Sequence, residues 1–497
     1  MAIEPQINQY NQYRRAGVLL HPTSFPGEME SGDIGHQAYR FIEFLNSNGF
    51  RLWQMLPLGP AHDDKSPYQC LSSHAGNPLL ISLHWLQDKG WLDSKKYNSD
   101  NNSSAHRLSC LIRAGHQFYQ TADKIWQDKL SEFKEKNSYW LSDFVLFMAL
   151  KQRNKNKPWY EWPRAERHCD RQVLAELSEQ LKNVIQQTIF EQFIFFTQWQ
   201  EVRDYARQYN IELFGDLPFF VAKDSADVWA KKENFLIDVD GKMEFVAGVP
   251  PDAFSETGQR WGNPLYDWKY MESTHFSWWK ERIKTQLALF DMVRIDHFRG
   301  LQACWYIPAT DDTAINGQWV EVPGREMLSE MFSVFRELPL IAEDLGVITD
   351  EVITLKNYFN LPGMKVLQFA FDGNNKNPHL PHRHHEKDII YTGTHDNDTS
   401  LGWVRNRKNY NKTYFDAYIN HQNSTEEQDM LSLIRLAMSS VSCLCVIPMQ
   451  DLLMLGSESR MNVPGTTSNN WCWRFDWDQL RPDIIEKITE YMNLYQR

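Results

Sequence analysis

Val293-Arg294-Ile295-Asp296-His297-Phe298-Arg299-Gly300 is an apolar run that carries an arginine and an aspartate two residues apart. In an extended segment residues i and i+2 share a face, so Arg294 and Asp296 emerge together at the end of a strand. A guanidinium beside a carboxylate favours the ionised form, which implies a depressed pKa for Asp296 and a nucleophile usable at neutral pH. Two more runs end in acids: Leu340-Ile341-Ala342-Glu343-Asp344 and Ile389-Ile390-Tyr391-Thr392-Gly393-Thr394-His395-Asp396. A single strand-end acid more often caps the next helix. Three together supply the parts for cleaving a glycosidic bond with retention, where one carboxylate attacks the anomeric carbon and a protonated second one serves the leaving oxygen.

Outward from this stretch, short apolar segments suited to buried parallel strands occur at 16–20, 51–56, 211–216, 292–296, 340–343, 365–371, 388–392 and 443–448. Most are separated by enough chain for a helix. Such alternation predicts an α/β protein with a parallel sheet, and eight units predict a closed (β/α)8 TIM barrel with its acids at the C-terminal strand ends. Between the second and third candidates lie roughly 155 residues, far more than a βα unit needs, so an insertion is expected over about 60–205. Phe195, Trp199, Val202 and Ala206 recur at helical spacing, as does a stripe from Leu174 to Leu181, so the insertion reads as largely helical. Tyr39–Leu45 reads as an amphipathic helix after the turn Gly32-Asp33-Ile34-Gly35, and the polar run 98–104 reads as a loop. With no repeat and no long linker, one catalytic barrel spanning 1–497 with inserted subdomains is expected.

Composition narrows the partners. Lys plus Arg number 52 and Asp plus Glu 64, a net charge of −12. Such a chain lacks the electrostatic footprint of nucleic-acid or membrane-surface binders, and a neutral substrate fits it better. The 19 tryptophans, 20 tyrosines and 28 phenylalanines fill a large core, and some are available to stack on the flat faces of sugars. Seven cysteines, an odd number without Cys-x-x-Cys spacing, argue for reduced thiols in the cytosol and against zinc. No basic-then-apolar leader and no run of 18 apolar residues appear, so a cytoplasmic protein is expected. His379, His382, His384 and His385 match no zinc signature, and Gly32-Asp33-Ile34-Gly35 lacks the ending of a phosphate loop.

Several ordered motifs resemble the 4-α-glucanotransferases of the amylomaltase (disproportionating enzyme) family, relatives of the α-amylases. They are Ser66-Pro67-Tyr68-Gln69 with Gly76-Asn77-Pro78-Leu79, Gly215-Asp216-Leu217-Pro218, and Gly248-Val249-Pro250-Pro251-Asp252-Ala253-Phe254 leading to Gly258-Gln259-Arg260-Trp261-Gly262-Asn263-Pro264. Glu343-Asp344-Leu345-Gly346, Gly393-Thr394-His395-Asp396-Asn397, Arg460-Met461-Asn462 and Asn470-Trp471-Cys472-Trp473-Arg474 complete a match that runs nearly end to end.

The resemblance implies transfer of α-1,4-glucan segments between malto-oligosaccharides, without a cofactor or a metal. It makes Asp296 the nucleophile, Glu343 the general acid/base and Asp396 the carboxylate that holds sugar hydroxyls beside the reacting carbon. It places Asp216 and His395 on the sugar at the cleavage point, and Tyr68, Gln259, Trp261, Phe369 and Asn462 along the donor subsites. Ser66 and Arg294 join the substrate-binding set, and Asn377, Leu380, Pro381 and His382 resemble a loop near the acceptor side. Residues 248–264 resemble a loop that covers the groove. Where the family often has a Gly/Tyr-containing turn before Ser-Pro-Tyr, this chain reads Ala61-His62-Asp63-Asp64-Lys65, which implies one remote sugar platform fewer.

Overall fold

The computed structural model describes residues 13–93, 102–251, 255–406, 408, 410–421 and 423–497. Eight parallel strands form one sheet, and we number them along the chain: β1 Arg15–Leu19, β2 Leu52–Gln54, β3 Glu212–Leu217, β4 Met292–Ile295, β5 Leu340–Ala342, β6 Met364–Val366, β7 Ile389–Tyr391 and β8 Leu444–Pro448. The hydrogen-bonded order is β6-β7-β8-β1-β2-β3-β4-β5, so chain order is spatial order and β8 returns to β1. Between β5 and β6 the ring is completed by Ala342 N–H to Pro362 O at 2.9 Å and by Met364 N–H to the Asp344 carboxylate at 2.7 Å. The chain is therefore a (β/α)8 barrel, as its eight apolar runs predict.

Side-chain alternation sorts the strands into two cores. Leu19, Leu52, Phe214, Met292, Ile341, Met364, Ile389 and Leu444 pack together inside the barrel. Their neighbours Val18, Trp53, Leu213, Val293, Leu340, Ile390 and Cys445 face outward into the helical layer. In the β3–β4 ladder Phe214 pairs with Met292 and, one layer higher, Asp216 pairs with Arg294. Aligned residues of parallel strands present their side chains to the same face. The interior is thus apolar around Phe214 and Met292, with the Arg15–Glu212 ion pair beneath them at its N-terminal end, and becomes ionic again at its C-terminal mouth.

The helices follow their sequence patterns. His36–Ser47 buries Ala38, Phe41, Ile42 and Leu45 along one stripe, and its N-terminal turn is set by Gly35 N–H donating to Asp33 Oδ1. Between β2 and β3 lie helices from Leu83–Asp88 through the 27-residue Lys182–Gln208, whose Phe195, Trp199, Val202 and Ala206 are fully buried. The stripe from Leu174 to Leu181 is weaker, with Leu177 alone buried in helix Arg171–Gln180. Of the polar run 98–104, residues 98–101 lie outside the described residues.

One element had no counterpart in the sequence reading. Phe245–Val249, Gln259–Arg260, Ala303–Pro308 and Gln318–Glu321 form a separate four-stranded antiparallel sheet beside the barrel mouth. Its strands come from the connections after β3 and after β4, so their pairing joins stretches distant in sequence. The candidate strand 365–371 is also shorter than expected. The ladder covers Met364–Val366, and Leu367–Phe369 turn into a 3-10 helix.

Candidate active site

Arg294 is the hub of the barrel mouth. Its Nε and one terminal nitrogen grip both oxygens of Asp216 at 3.0 and 2.7 Å, and the same terminal nitrogen donates to Asp296 Oδ1 at 2.9 Å and to the Tyr68 hydroxyl at 3.2 Å. The Asp216 grip follows from the β3–β4 register, and the Asp296 bond follows from i, i+2 spacing at the end of β4. Arg294 and Asp216 have side chains 5% and 0% exposed, whereas Asp296 keeps 31% of its side chain open to the cleft.

Tyr68 enters from the loop after β2. Its hydroxyl lies 2.7 Å from Asp216 Oδ2 and 2.9 Å from His395 Nε2, and its ring stacks on His395 at 5.3 Å. The single phenolic hydrogen goes to the carboxylate, so His395 donates from Nε2 and carries its proton there. Burial pushes the His395 pKa down, so the ring is neutral, and burial followed by the Asp216 charge keeps Tyr68 protonated. Trp471, held in a left-handed conformation with φ 62°, packs against both rings at 5.9 and 6.0 Å.

Glu343 follows β5 and, among the described residues, has no ion-pair partner. Oε2 accepts from His297 N–H at 2.8 Å and Oε1 from Leu345 N–H at 2.9 Å. Burial raises its pKa from 4.5 to about 7, with Arg294 and the two N–H bonds acting downward. The raised value matches what an acid needs in order to hold a proton near neutrality.

For Asp296 the direction differs from the sequence expectation. Burial acts first, followed by the charges of Asp216, Glu343 and Asp396, and together they raise its pKa despite Arg294. Arg294 offsets that burial only in part, because it already neutralises Asp216 through two bonds and leaves one shared contact for Asp296. Coupled carboxyls share protons as a set. Within that set the proton belongs on Glu343, because Asp296 receives a guanidinium N–H and faces cleft water, and both favour its ionised form.

Asp396 lies after β7. Its Oδ1 accepts from Asn462 Nδ2 at 2.6 Å, and its Oδ2 is 3.4 Å from His395 Nε2. Arg460 reaches the Asp396 carbonyl at 2.9 Å and the Asn462 carbonyl at 3.3 Å, closing a clasp around this acid. Below it Asp451, wholly buried, accepts from Thr392 Oγ1, Ser400 N–H and Ser400 Oγ and so anchors the segment that carries His395 and Asp396.

The other candidates are placed as follows. Trp261 stands over the cleft against Phe220 and His297, and its indole N–H donates to Gln259 Oε1 at 3.0 Å. Ser66 turns the loop instead, its N–H on Asp64 and its Oγ on Tyr68 N–H. Phe369 packs on the interior core and on His379. Asp252, Ala253 and Phe254 of the covering segment lie outside the described residues. In the turn 61–65, Lys65 is tied to Glu30 at 3.1 Å. The imidazoles of His379, His382 and His384 meet Val366 N–H, the Tyr418 hydroxyl and Ser440 Oγ respectively, while the backbone N–H of His385 donates to Asp388. Arg460 and His297 lay within quoted stretches but were given no role, because Arg460 binds backbone carbonyls and His297 acts through its own N–H, contacts that leave no pattern in the sequence. Trp471 lay within a quoted motif, but only its packing on Tyr68 and His395 marks it as part of this site.

A family profile described as 4-alpha-glucanotransferase matches residues 20–479. The 4-alpha-glucanotransferase of Thermus thermophilus is 45% identical over 481 residues, covering 95% of this chain and 96% of that one. The chloroplastic/amyloplastic 4-alpha-glucanotransferase of Solanum tuberosum is 43% identical over 505 residues, covering 98% and 87%. The amylomaltase of Streptococcus agalactiae, solved in complex with acarbose, superposes with a TM-score of 0.92 at 34% identity, covering 97% of this chain and 99% of its own. Identity on this scale over the whole length, joined to a barrel mouth built around Arg294, Asp296, Glu343 and Asp396, places the chain in the 4-alpha-glucanotransferase family.

Proposed function

We propose that the protein moves α-1,4-glucan segments between malto-oligosaccharides by a retaining double displacement. An Asp296 oxygen attacks C1 of the donor as the C1–O bond to the leaving sugar breaks, and Glu343 gives its proton to that oxygen. A glucosyl ester on Asp296 results. The Glu343 carboxylate then takes the proton from the 4-hydroxyl of an acceptor glucan, whose oxygen attacks C1 and releases Asp296. The observation that carries this reading is the contrast between an Asp296 bonded to Arg294 and a Glu343 held by backbone N–H groups with a pKa of about 7.

In this reading Asp396 and His395 hold the sugar at the cleavage point, and Tyr68, Gln259, Trp261, Phe369 and Asn462 line the donor side; Asp216, expected to touch the sugar, is wholly buried and instead positions Arg294 and Tyr68. The hairpin built on 248–264 keeps water from the ester until an acceptor sugar arrives. The barrel, the 60–205 insertion and this hairpin act as one catalytic unit. Among the described residues no helix is long and apolar enough to cross a membrane. The odd number of cysteines, without Cys-x-x-Cys spacing, supports a cytoplasmic setting for the reaction.

Incubation with maltotriose tests the proposal. A ladder of longer products plus glucose, at constant total reducing ends, is the expected result. Rising reducing ends without longer products would make the protein a hydrolase.

A further inference from the structure

Trp471 carries a large side chain on a left-handed backbone, φ 62°. That conformation is an outlier for a bulky residue and persists where the surrounding structure over-determines it. Two anchors do so here. Before Trp471, Asn470 ties up the preceding loop, its Oδ1 accepting from Val463 N–H at 3.0 Å and its Nδ2 donating to Thr466 O at 3.0 Å. After it, the Arg474 guanidinium donates to the carbonyls of Phe25, Gly27 and Met29 and pins the chain. Between these anchors the Trp471 N–H donates to Met461 O at 2.7 Å, and the indole is turned onto the Tyr68 and His395 rings.

Met461 lies between Arg460 and Asn462, which hold the carbonyl and the carboxylate of Asp396. Trp471 therefore meets the His395–Asp396 pair twice, through its ring on the imidazole and through its backbone on the segment that clasps the acid.

The rings it touches carry a polar chain across the barrel mouth. The chain runs from Asp216 to the Tyr68 hydroxyl at 2.7 Å, on to His395 Nε2 at 2.9 Å, and from there to Asp396 Oδ2 at 3.4 Å. Two of these three links end on His395 Nε2, so the tilt of one imidazole sets both. Tyr68 covers that imidazole with the planes 14° apart, while Trp471 stands at 39° to it and at 49° to Tyr68. The three rings close a triangle, and contacts between rings depend on their mutual angle and offset, so neither Tyr68 nor His395 can roll without losing the indole.

We propose that Trp471 is a positioning residue that holds the Tyr68–His395 pair in the one orientation that keeps the imidazole N–H between the Tyr68 hydroxyl and Asp396. The inference rests on the reading of His395 as a group that holds the sugar at the cleavage point. Trp471 acts through the two rings and not on the glucan.

The test is a double-mutant cycle on kcat and KM for maltotriose. Trp471→Asn keeps the left-handed backbone, which asparagine tolerates, and removes the indole. Loss of two ring contacts should lower kcat by about thirtyfold with KM within about threefold of wild type. Trp471→Phe, which keeps a smaller flat ring, should fold as wild type does and lose about threefold in kcat, so the cycle closes on it if the asparagine variant does not fold. In the His395→Ala background either substitution should cost less than about 1.5-fold, because the group it positions is gone. Equal losses with and without His395, or a loss confined to KM, would overturn the inference. His395→Ala by itself separates this from the underlying reading: if that variant keeps the wild-type kcat, the role of His395 fails and the positioning role falls with it.

Discussion

The Tyr68 hydroxyl meets Asp216 Oδ2 at 2.7 Å, joining the loop after β2 to the carboxylate at the top of β3. That bond completes the coordination of an acid whose other contacts come from Arg294. Tyr68→Phe removes a hydrogen bond to a charged group, worth about 1.5–3 kcal/mol. The expected outcome is a fall of roughly tenfold to a hundredfold in kcat/KM for maltotriose. An unchanged value would mean that Asp216 is positioned by Arg294 alone.

Arg294→Met should cost stability as well as activity. It leaves Asp216, with its side chain wholly buried, and Asp296 without a cation. Breaking a buried pair on one side costs about 3–5 kcal/mol. Urea unfolding should show that loss, and adding Asp216→Asn in the same chain should restore much of it.

Asp296→Asn should lower transfer by on the order of 10⁴-fold or more, since an amide cannot form the glycosyl ester. Mass spectrometry of wild type quenched during turnover of α-maltosyl fluoride should find the sugar on the peptide containing Asp296. A labelled peptide elsewhere would refute the assignment.

The pH dependence follows from Glu343, whose pKa is raised from 4.5 to about 7. Below about 7 it holds the proton that the leaving oxygen needs, so kcat/KM should fall as pH rises through that value. The folded protein keeps this proton where the unfolded chain has lost it, so Glu343 erodes stability as pH rises from about 4.5 to 7. The melting-temperature advantage of Glu343→Gln over wild type should therefore grow between pH 5 and pH 8.

Gly215 immediately precedes Asp216, and a Cβ there would lie 2.1 Å from the Phe290 ring. Gly215→Ala should destabilise the fold by about 1–3 kcal/mol and, by shifting β3, loosen Asp216 from Arg294. Thermal melts and assays should fall together, and Phe290→Leu in the same chain should recover part of both.

Eight apolar runs ending in polar residues, a helical insertion and three strand-end acids were legible because each rests on local periodicity or on contiguous residues. Arg294 and Asp296 are two residues apart, so their shared direction is a property of any extended segment. The ordered motifs added the family. The four-stranded sheet could not be read the same way, since its partners lie in different connections and short alternating runs do not name their mates. The charge balance was hidden for the same reason. Sequence spacing assigns Arg294 to Asp296, but burial at the barrel mouth, followed by the charge of Asp216 that the β3–β4 register brings to the same guanidinium, raises the Asp296 pKa where the sequence implied the opposite. The hold of His297 and Arg460 on Glu343 and Asp396 is likewise made by or through backbone groups, which every residue possesses. The sequence by itself determined which acids exist and on which strands they ride, because hydrophobic periodicity acts over a few residues. Only the tertiary structure decided which acid receives the cation and which keeps the proton, because electrostatics depends on distances between strands.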